Sequence, residues 1–499
     1  MFIPVESFYL KPMATGTLQQ QVRQMITDGI LSGRFCAGER LPSSRAMAAH
    51  LSISRITVTL AYTDLVSSDY LASKGRSGHF VSHSAPVNLD VITLKRQRLD
   101  GMNYDHLTER RYSQAPRIER PANWQDYPYA FIYGQPDATL FDHQNWRQCA
   151  VRALGKRDFD SLTSDYYQRD DPLLIEYILR NILPRRGIDA RADEVLLTMG
   201  AQNALWLSSH LLLSRRQNGA RRHGVVENPC YPGFRRILDQ VDCRISAVDV
   251  DEFGLPSHHI PSDIDAVLTT VSHHCPTNAT MPLLRRQGLL KAAREQKFVI
   301  IEDDYEFEMS FFKPASPSLK SLDSDGRVIY VGSFSKSLFP GLRMGYIVAP
   351  ESFICEARAL RATVLGHPPG HVQRTAAYFL SLGHYDTMIN RMKSAYKRRR
   401  QVMDDAIAAE GLSMAGQGGF GGSSIWMRAP DGVDTAELAA NLRKLGVLIE
   451  PGRVFFAPDT EGKPVPNNCY RLAYSSIAIG KIWQGITLIA QALRKVGPK

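Results

Sequence analysis

From about residue 126 onward the sequence alternates short β-branched runs with stretches of helical texture, and this alternation most narrows what the chain can fold into. VLLTM, AVLTTV, FVIIED and VIYVGS read as strands, and helical segments lie between them. Strands regularly separated by helices predict an α/β domain. At 499 residues the chain exceeds one ordinary domain, and two other zones precede this one. Residues 1–85 are short-helical and end in a glycine-punctuated hairpin. Residues 86–125 carry Pro86, Pro116 and Pro121, the mixed run LKRQRLD and little apolar periodicity, as a linker does. No internal repeat or low-complexity tract is present.

Composition narrows the class further. Hydrophobic content of 44% with 22% charged residues is that of a soluble globular protein with a large core. A net charge of +10 admits a polyanionic partner without requiring one. The seven cysteines (Cys36, Cys149, Cys230, Cys243, Cys275, Cys355, Cys469) are scattered and form no C-x-x-C pair. That argues against a disulfide framework or a zinc ribbon, and no metal site is expected. The N-terminus MFIPVESFYLKP lacks the pattern of a secretory signal, and no run approaches 18 apolar residues. The expectation is a cytoplasmic protein without a membrane span.

In the first zone, Thr17 with Gln20 three residues later fits a capping box. Val22, Met25, Ile26 and Ile30 follow at helical spacing. A short helix from about Ser43 to Leu51 and a third capped by Ser54 make a helix-turn-helix, the third being the recognition element. LASKGRSGHFVS then reads as two strands around a glycine-rich turn, a wing. From LQQQVRQMI through GERLPSSR to GHFV the stretch resembles the GntR family of winged-helix regulators. The resemblance implies that Arg45, Arg55, Thr57 and Thr59 face operator DNA, with Arg76 and Gly78 on the wing. Guanidinium groups near helix N-termini reach phosphates or guanine edges, and short threonines let a helix approach the groove.

Six segments of the third zone carry chemistry. GSFSKSLFPGLRMGY places a lysine in a serine-rich turn after a strand, with an arginine seven residues on. IIEDDYEFE puts carboxylates at a strand end, TMGAQNAL is a small-residue turn opening a helix, and ENPCYPGF sets an aromatic between a proline pair. NCYRLAYSS is a strand with Arg471 opposite in phase to Tyr470, Leu472 and Tyr474. VSHHCPTN is the sixth. In this order they resemble fold-type I enzymes that use pyridoxal 5'-phosphate (PLP), the aspartate aminotransferase superfamily, over nearly all of residues 126–499. The resemblance implies a large domain with a smaller C-terminal one.

By the same resemblance Lys336 bonds the PLP aldehyde carbon, and Ser333, Ser335 and Arg343 hold its phosphate. Backbone N–H groups of Ala201 and Gln202 join them at a helix N-terminus. Tyr231 stacks on the ring and Tyr305 meets its phenolic oxygen. Spacing to the tyrosine selects Asp303 as partner of the pyridine nitrogen, with Asp304 the competing candidate. Arg471 would grip a carboxylate or sulfonate. One segment departs from the pattern: Cys275 and Asn278 stand at the ends of what aminotransferases have as N-P-T-G. The usual hydrogen bond from asparagine to the ring oxygen is lost, leaving Tyr305 and His273 as its possible sources.

A GntR-type reader, a linker and an aminotransferase-like domain in this order resemble the MocR subfamily of transcription regulators. That resemblance implies a head-to-tail homodimer in which a small amine or amino acid, with taurine and ω-amino acids as candidates, displaces Lys336 and forms an external aldimine. An active aminotransferase with an appended reader, and a PLP-level sensor controlling vitamin B6 synthesis, remain open beside it. Residual transamination is also left open.

Overall fold

The computed structural model describes residues 2–10, 16–86, 108, 112–114, 117–134, 136–164, 168–416, 418–458 and 464–496, apart from the side chains of residues 76, 114 and 496. The chain divides into two compact units, Met1–Arg111 and Tyr112–Lys499.

The first unit is built on α1 (Leu18–Leu31), α2 (Ser44–Leu51), α3 (Arg55–Ser67), β1 (Leu71–Ser73) and β2 (His79–Val81). Each helix starts where a hydroxyl meets its orphan N–H groups. Thr17 accepts from Gln20 while the Gln20 side chain accepts from the Thr17 N–H, and Ser43 and Ser54 cap α2 and α3. Val22, Ile26 and Ile30 of α1 meet Met47, Val58, Tyr62 and Leu65 in one core. The Tyr62 hydroxyl donates to the Pro42 carbonyl, so its buried polar end is satisfied. β1 and β2 pair antiparallel, Leu71 opposite Val81, around the turn Gly75–Ser77.

The second unit contains, in chain order, β3 (Tyr129–Ala130), α4 (His143–Ala153), α5 (Lys156–Leu162), α6 (Pro172–Tyr177), β4 (Val195–Thr198), α7 (Ala201–Leu213), β5 (His223–Asn228), α8 (Pro232–Gln240), β6 (Arg244–Asp249) and β7 (Ala266–Thr269). It continues with α9 (Leu283–Gln296), β8 (Val299–Asp304), β9 (Val328–Ser333), β10 (Gly345–Val348), α10 (Glu351–Leu365), α11 (Gly370–Ser381) and α12 (His384–Ala409). The last elements are β11 (Ser413–Met414), β12 (Ser424–Arg428), α13 (Thr435–Lys444), β13 (Val447–Leu448), β14 (Glu450–Pro451), β15 (Cys469–Ala473) and α14 (Ile479–Val496). Seven strands form one sheet in the order β4-β10-β9-β8-β7-β5-β6. It is parallel except for β10, which runs against both β4 and β9. A second, antiparallel sheet has the order β11-β12-β15-β14.

Apart from its edge strand β6, the large sheet is buried on both faces, which explains why its central strands read as continuous apolar runs. Val226, Leu268, Ile301, Val331 and Ile347 pack on one face with Leu205 and Leu207 of α7 and Ile354 of α10. Val225, Val267, Ile300 and Val328 pack on the other with Leu289 of α9. The final stretch of the segment read as linker, from Arg117 on, belongs to this unit, where Trp124 and Tyr127 pack on Ala130, Ile132 and Leu448.

Full burial forces the charged end of β8 to find partners inside. Arg186, wholly buried, donates Nε to Asp304 Oδ2 at 2.6 Å and Nη2 to Ser272 at 2.8 Å, and Tyr330 donates to the same carboxyl oxygen at 2.9 Å. Arg186→Ala, by stranding Asp304, is expected to cost about 3–5 kcal/mol in urea unfolding. The double change Arg186→Met with Asp304→Leu should recover part of that loss.

Candidate functional site

The carboxyl ends of β4, β8 and β9 and the start of β10 gather at one edge of the large sheet. Thr198, Gly345 and Ser333 stand in register across β4, β10 and β9. A Cβ on Gly345 would come within 2.9 Å of the Gly200 carbonyl carbon, the Gly332 oxygen and the Ala201 nitrogen, so only glycine lets the three segments close together. Gly200, at φ 76°, opens α7 there and leaves the N–H groups of Ala201 and Gln202 at the helix N-terminus. The Arg343 guanidinium lies over Gly200 and donates to the Met199 carbonyl at 3.3 Å. Ser333 accepts from the Ser335 N–H at 3.2 Å, closing the turn. Ala201, Gln202, Ser333, Ser335 and Arg343 are thus brought to one cradle of donors.

Asp303 lies deeper on the same face of the sheet. Alternation along β8 sends Asp303 with Ile301 toward α7, and Glu302 and Asp304 to the opposite side. Asp304 Oδ2 is taken up by Arg186 and Tyr330; Asp303 Oδ1 and Asp304 Oδ1 are both buried without a hydrogen-bond partner, and the Asp303 oxygen is the one on the α7 face. Burial first, then the Asp304 and Glu227 carboxylates, push the Asp303 carboxyl up to about 8, with Lys336 opposing. Tyr231 is placed nearby, its hydroxyl donating to Gln202 Oε1 at 2.8 Å, and it packs in one cluster with Cys275 and Tyr305. The Tyr305 hydroxyl donates to the His273 carbonyl at 2.9 Å. The His273 ring is held by Asn278 and Ser310, and the Asn278 amide is turned to the Gly421 and Ser424 carbonyls.

Lys336 projects from the turn after β9 into a small pocket lined by Gly134, Glu306, Ser335, Ser423 and Ser475 among others. Its amine is lowered to about 8, chiefly by burial, with Glu306 raising it and Arg120 and Arg471 lowering it. Lys336 Nζ lies 4.2 Å from the centroid of the Tyr133 ring, and Arg471 Cζ lies 4.1 Å from the same centroid. Tyr133 donates its hydroxyl to Glu306 at 3.0 Å, and Ser423 donates to Glu306 from both N–H and hydroxyl. Arg471 is not a surface arginine: it is 2% exposed and forks onto Glu450 Oε2 through Nε at 2.8 Å and Nη2 at 2.7 Å.

Tyr133, Glu306, Glu450 and Arg120 were not singled out in the sequence. Glu306 fell inside IIEDDYEFE, and a glycine directly after Tyr133 was a usable sign of close backbone approach. Glu450 becomes visible only through the register that sets it opposite Arg471.

In the first unit Arg45 and Arg55 are exposed near the starts of α2 and α3, and Arg55 Nε reaches the Ser44 hydroxyl at 3.4 Å. Thr59 is exposed and bonded back to the Arg55 carbonyl, and Thr57 is half-buried. Ile56 and Leu60 are exposed on the same helix. Gly78, at φ 99°, closes the wing turn, and the side chain of Arg76 lies outside the described residues.

Residues 18–81 match the gntR family of bacterial regulatory proteins, and residues 154–476 match aminotransferase class I and II. HTH-type transcriptional regulator TauR of Rhodobacter capsulatus is 59% identical over 496 residues, covering 99% of this chain and 100% of that protein. The pyridoxine biosynthesis regulator PdxR of Corynebacterium glutamicum is 29% identical over 394 residues, 78% of each. The chain belongs to the MocR subfamily of GntR-type regulators. Two solved structures share the fold of the larger unit. LysN, an α-aminoadipate aminotransferase of Thermus thermophilus complexed with N-(5'-phosphopyridoxyl)-L-leucine, has a TM-score of 0.68 at 24% identity over 79% of this chain and 99% of that one. A kynurenine aminotransferase of Pyrococcus horikoshii has a TM-score of 0.67 at 24% identity over 76% and 96%.

This MocR-type protein is a DNA-binding transcription regulator that binds PLP. Its residues fit the cofactor: an unpartnered buried carboxyl oxygen is what a protonated pyridine nitrogen requires, and the open N–H groups at Ala201 and Gln202 suit a phosphate. Among the described residues no helix is long and apolar enough to cross a membrane.

Because folding raises the Asp303 carboxyl, its ionisation opposes folding when the cofactor is removed. The stability it contributes below the unfolded carboxyl value is lost as pH rises toward about 8. Cofactor-free Asp303→Asn is therefore expected to melt above wild type near pH 8 and to converge with it near pH 4 in a thermal-shift series. Adding PLP should reverse the order at pH 8, since only the ionised aspartate can hold the pyridine proton.

Proposed function

We propose that the protein is an amine-responsive regulator in which a short primary amine with an acidic tail, taurine or an ω-amino acid, displaces Lys336 from PLP and shifts the affinity of the reader for its operator. The observation that carries this reading is that a lysine amine lowered to about 8 and a buried arginine lie over one tyrosine ring, 4.2 and 4.1 Å from its centroid. The resemblance to TauR along the whole chain supports the same ligand class. In this reading Asp303 pairs with the pyridine nitrogen, Tyr231 stacks on the ring and Tyr305 faces its phenolic oxygen. Ser333, Ser335, Arg343 and the N–H groups of Ala201 and Gln202 hold the phosphate.

When bound, PLP supplies an aldehyde carbon at which one amine replaces another. Lys336, closer to neutrality than a free lysine, serves both as attacking amine and as leaving group. Cys275 does not replace the missing asparagine: burial raises its thiol to about 12, so it stays neutral, and a thiol is a weak donor. That favours holding a ligand over turning it over. For the ligand to act on DNA it must favour one arrangement of a homodimer over another, and we include the head-to-tail dimer in the reading.

Visible spectra of wild type and Lys336→Ala, each titrated with a panel of amines, test the reading. A cofactor band that requires Lys336, shifts with a short acidic amine and persists, together with altered operator affinity, is the expected result. Release of an oxo-acid with turnover would replace it with a working aminotransferase. A change in operator affinity with PLP alone would replace it with a PLP-level sensor.

The reading also assigns Arg45, Arg55, Thr57, Thr59 and the wing residues Arg76 and Gly78 to DNA. With an operator selected from random sequence, Arg55→Ala is expected to cost about 1–3 kcal/mol in fluorescence anisotropy at fixed salt. Arg55→Ala should leave the cofactor spectrum unchanged.

A further inference from the structure

Arg471 does not stand alone at the acidic end of the pocket. Glu450, 1% exposed, divides its two oxygens between two guanidinium groups. Oε2 takes the Arg471 fork at 2.7 and 2.8 Å. Oε1 takes Arg120 Nε at 3.3 Å and Nη2 at 3.2 Å, and also the Tyr133 N–H at 3.2 Å. The two arginines are therefore held unequally. Short, forked bonds lock Arg471, whereas Arg120 shares a crowded oxygen through long bonds and keeps 30% of its side chain exposed.

Charge at this cluster is unbalanced: two guanidinium groups share one carboxylate. Arg471 Nη1 finds only the Cys275 sulfur, at 3.8 Å, although the side chain is buried. Glu306 is the other nearby carboxylate, but it is saturated by Tyr133 and Ser423 and faces Lys336. Arg120 is also close to the reacting end. A Cβ on Gly134 would lie 2.5 Å from Lys336 Nζ and 3.9 Å from Arg120 Nη2.

We infer that Arg120 is a second anion-binding residue of the effector site and sets its preference for amines with an acidic tail. Glu450 aligns both guanidinium groups. The ligand's carboxylate or sulfonate supplies the missing negative charge, drawing the loosely held Arg120 onto itself while Arg471 stays fixed. Glu450 thereby screens Arg471 enough that an anion needs both arginines for a firm grip. The inference rests on the amine-sensing reading above and assigns to it a residue from the segment that precedes β3.

The test uses full-length protein loaded with PLP and three probes: taurine, β-alanine, and 3-methylbutylamine as a neutral analogue of similar shape. Apparent affinities come from the shift of the visible band. Arg120→Ala is expected to weaken taurine and β-alanine by about 10- to 100-fold, the loss of a charge-assisted contact, and to leave 3-methylbutylamine within about two-fold. Arg120→Lys, which keeps charge but loses the fork, should fall between wild type and Arg120→Ala for both acids. A greater effect on one acid than on the other distinguishes a sulfonate site from a carboxylate site, and either supports the inference. Equal loss for all three amines, or no loss for any, would overturn it while leaving amine sensing intact. A wild-type band that none of the three amines shifts would instead overturn the amine-sensing reading, and this assignment with it.

Discussion

Three consecutive carboxylates, Glu302, Asp303 and Asp304, end a strand that is buried on both faces, and each must be satisfied without water. Strand alternation divides the task. Glu302 turns to the backbone N–H groups of Leu319 and Lys320, and Asp304 on the same side meets Arg186 and Tyr330. Asp303 lies on the α7 face, near Tyr231 and Lys336, with a buried oxygen that has no hydrogen-bond partner among the described residues. The strand end thus anchors the interior on one side and presents an unpartnered carboxyl on the other. In the proposed reading PLP would bind against that carboxyl.

The opposite end of the pocket is organised by Tyr133. Lys336 and Arg471 both lie over its ring, its hydroxyl binds Glu306, and its N–H binds Glu450. One residue therefore touches both cations and both carboxylates. The burial of Arg471 against Glu450 raises the arginine's affinity for its proton, although desolvation acts to lower it, so the guanidinium stays charged at any working pH.

Cys275 marks where this pocket leaves the aminotransferase pattern. It packs with Tyr231 and Tyr305 as a neutral apolar group, and Asn278, the remaining amide of that segment, supports the loop at Gly421 and Ser424 instead of facing the ring. In the proposed reading, a pocket that keeps Lys336 but lacks an amide at position 275 would suit recognition better than turnover. The same logic appears in the reader, where capping and core packing fix α2 and α3 while Arg45, Arg55 and Thr59 stay exposed.

Local chemistry carried much of this in the sequence. Capping of α1 by Thr17 and Gln20, the wing turn at Gly78, and the positions of Lys336, Asp303 and Tyr231 all depend on neighbours a few residues away, so they were legible in order along the chain. Asp303 and Asp304 stood side by side in the sequence, and what sets them apart in space is the bond of Asp304 to Arg186, more than a hundred residues upstream. The ion pair of Arg471 with Glu450 depends on a strand register, and the approach of Arg120 and Tyr133 to Lys336 depends on how the segment before β3 returns to the sheet edge. Sequence by itself determined which chemical groups are available and which local turns present them. Tertiary structure alone decided which of those groups are neutralised by one another and which remain open to a ligand, because charges meet through space and not along the chain.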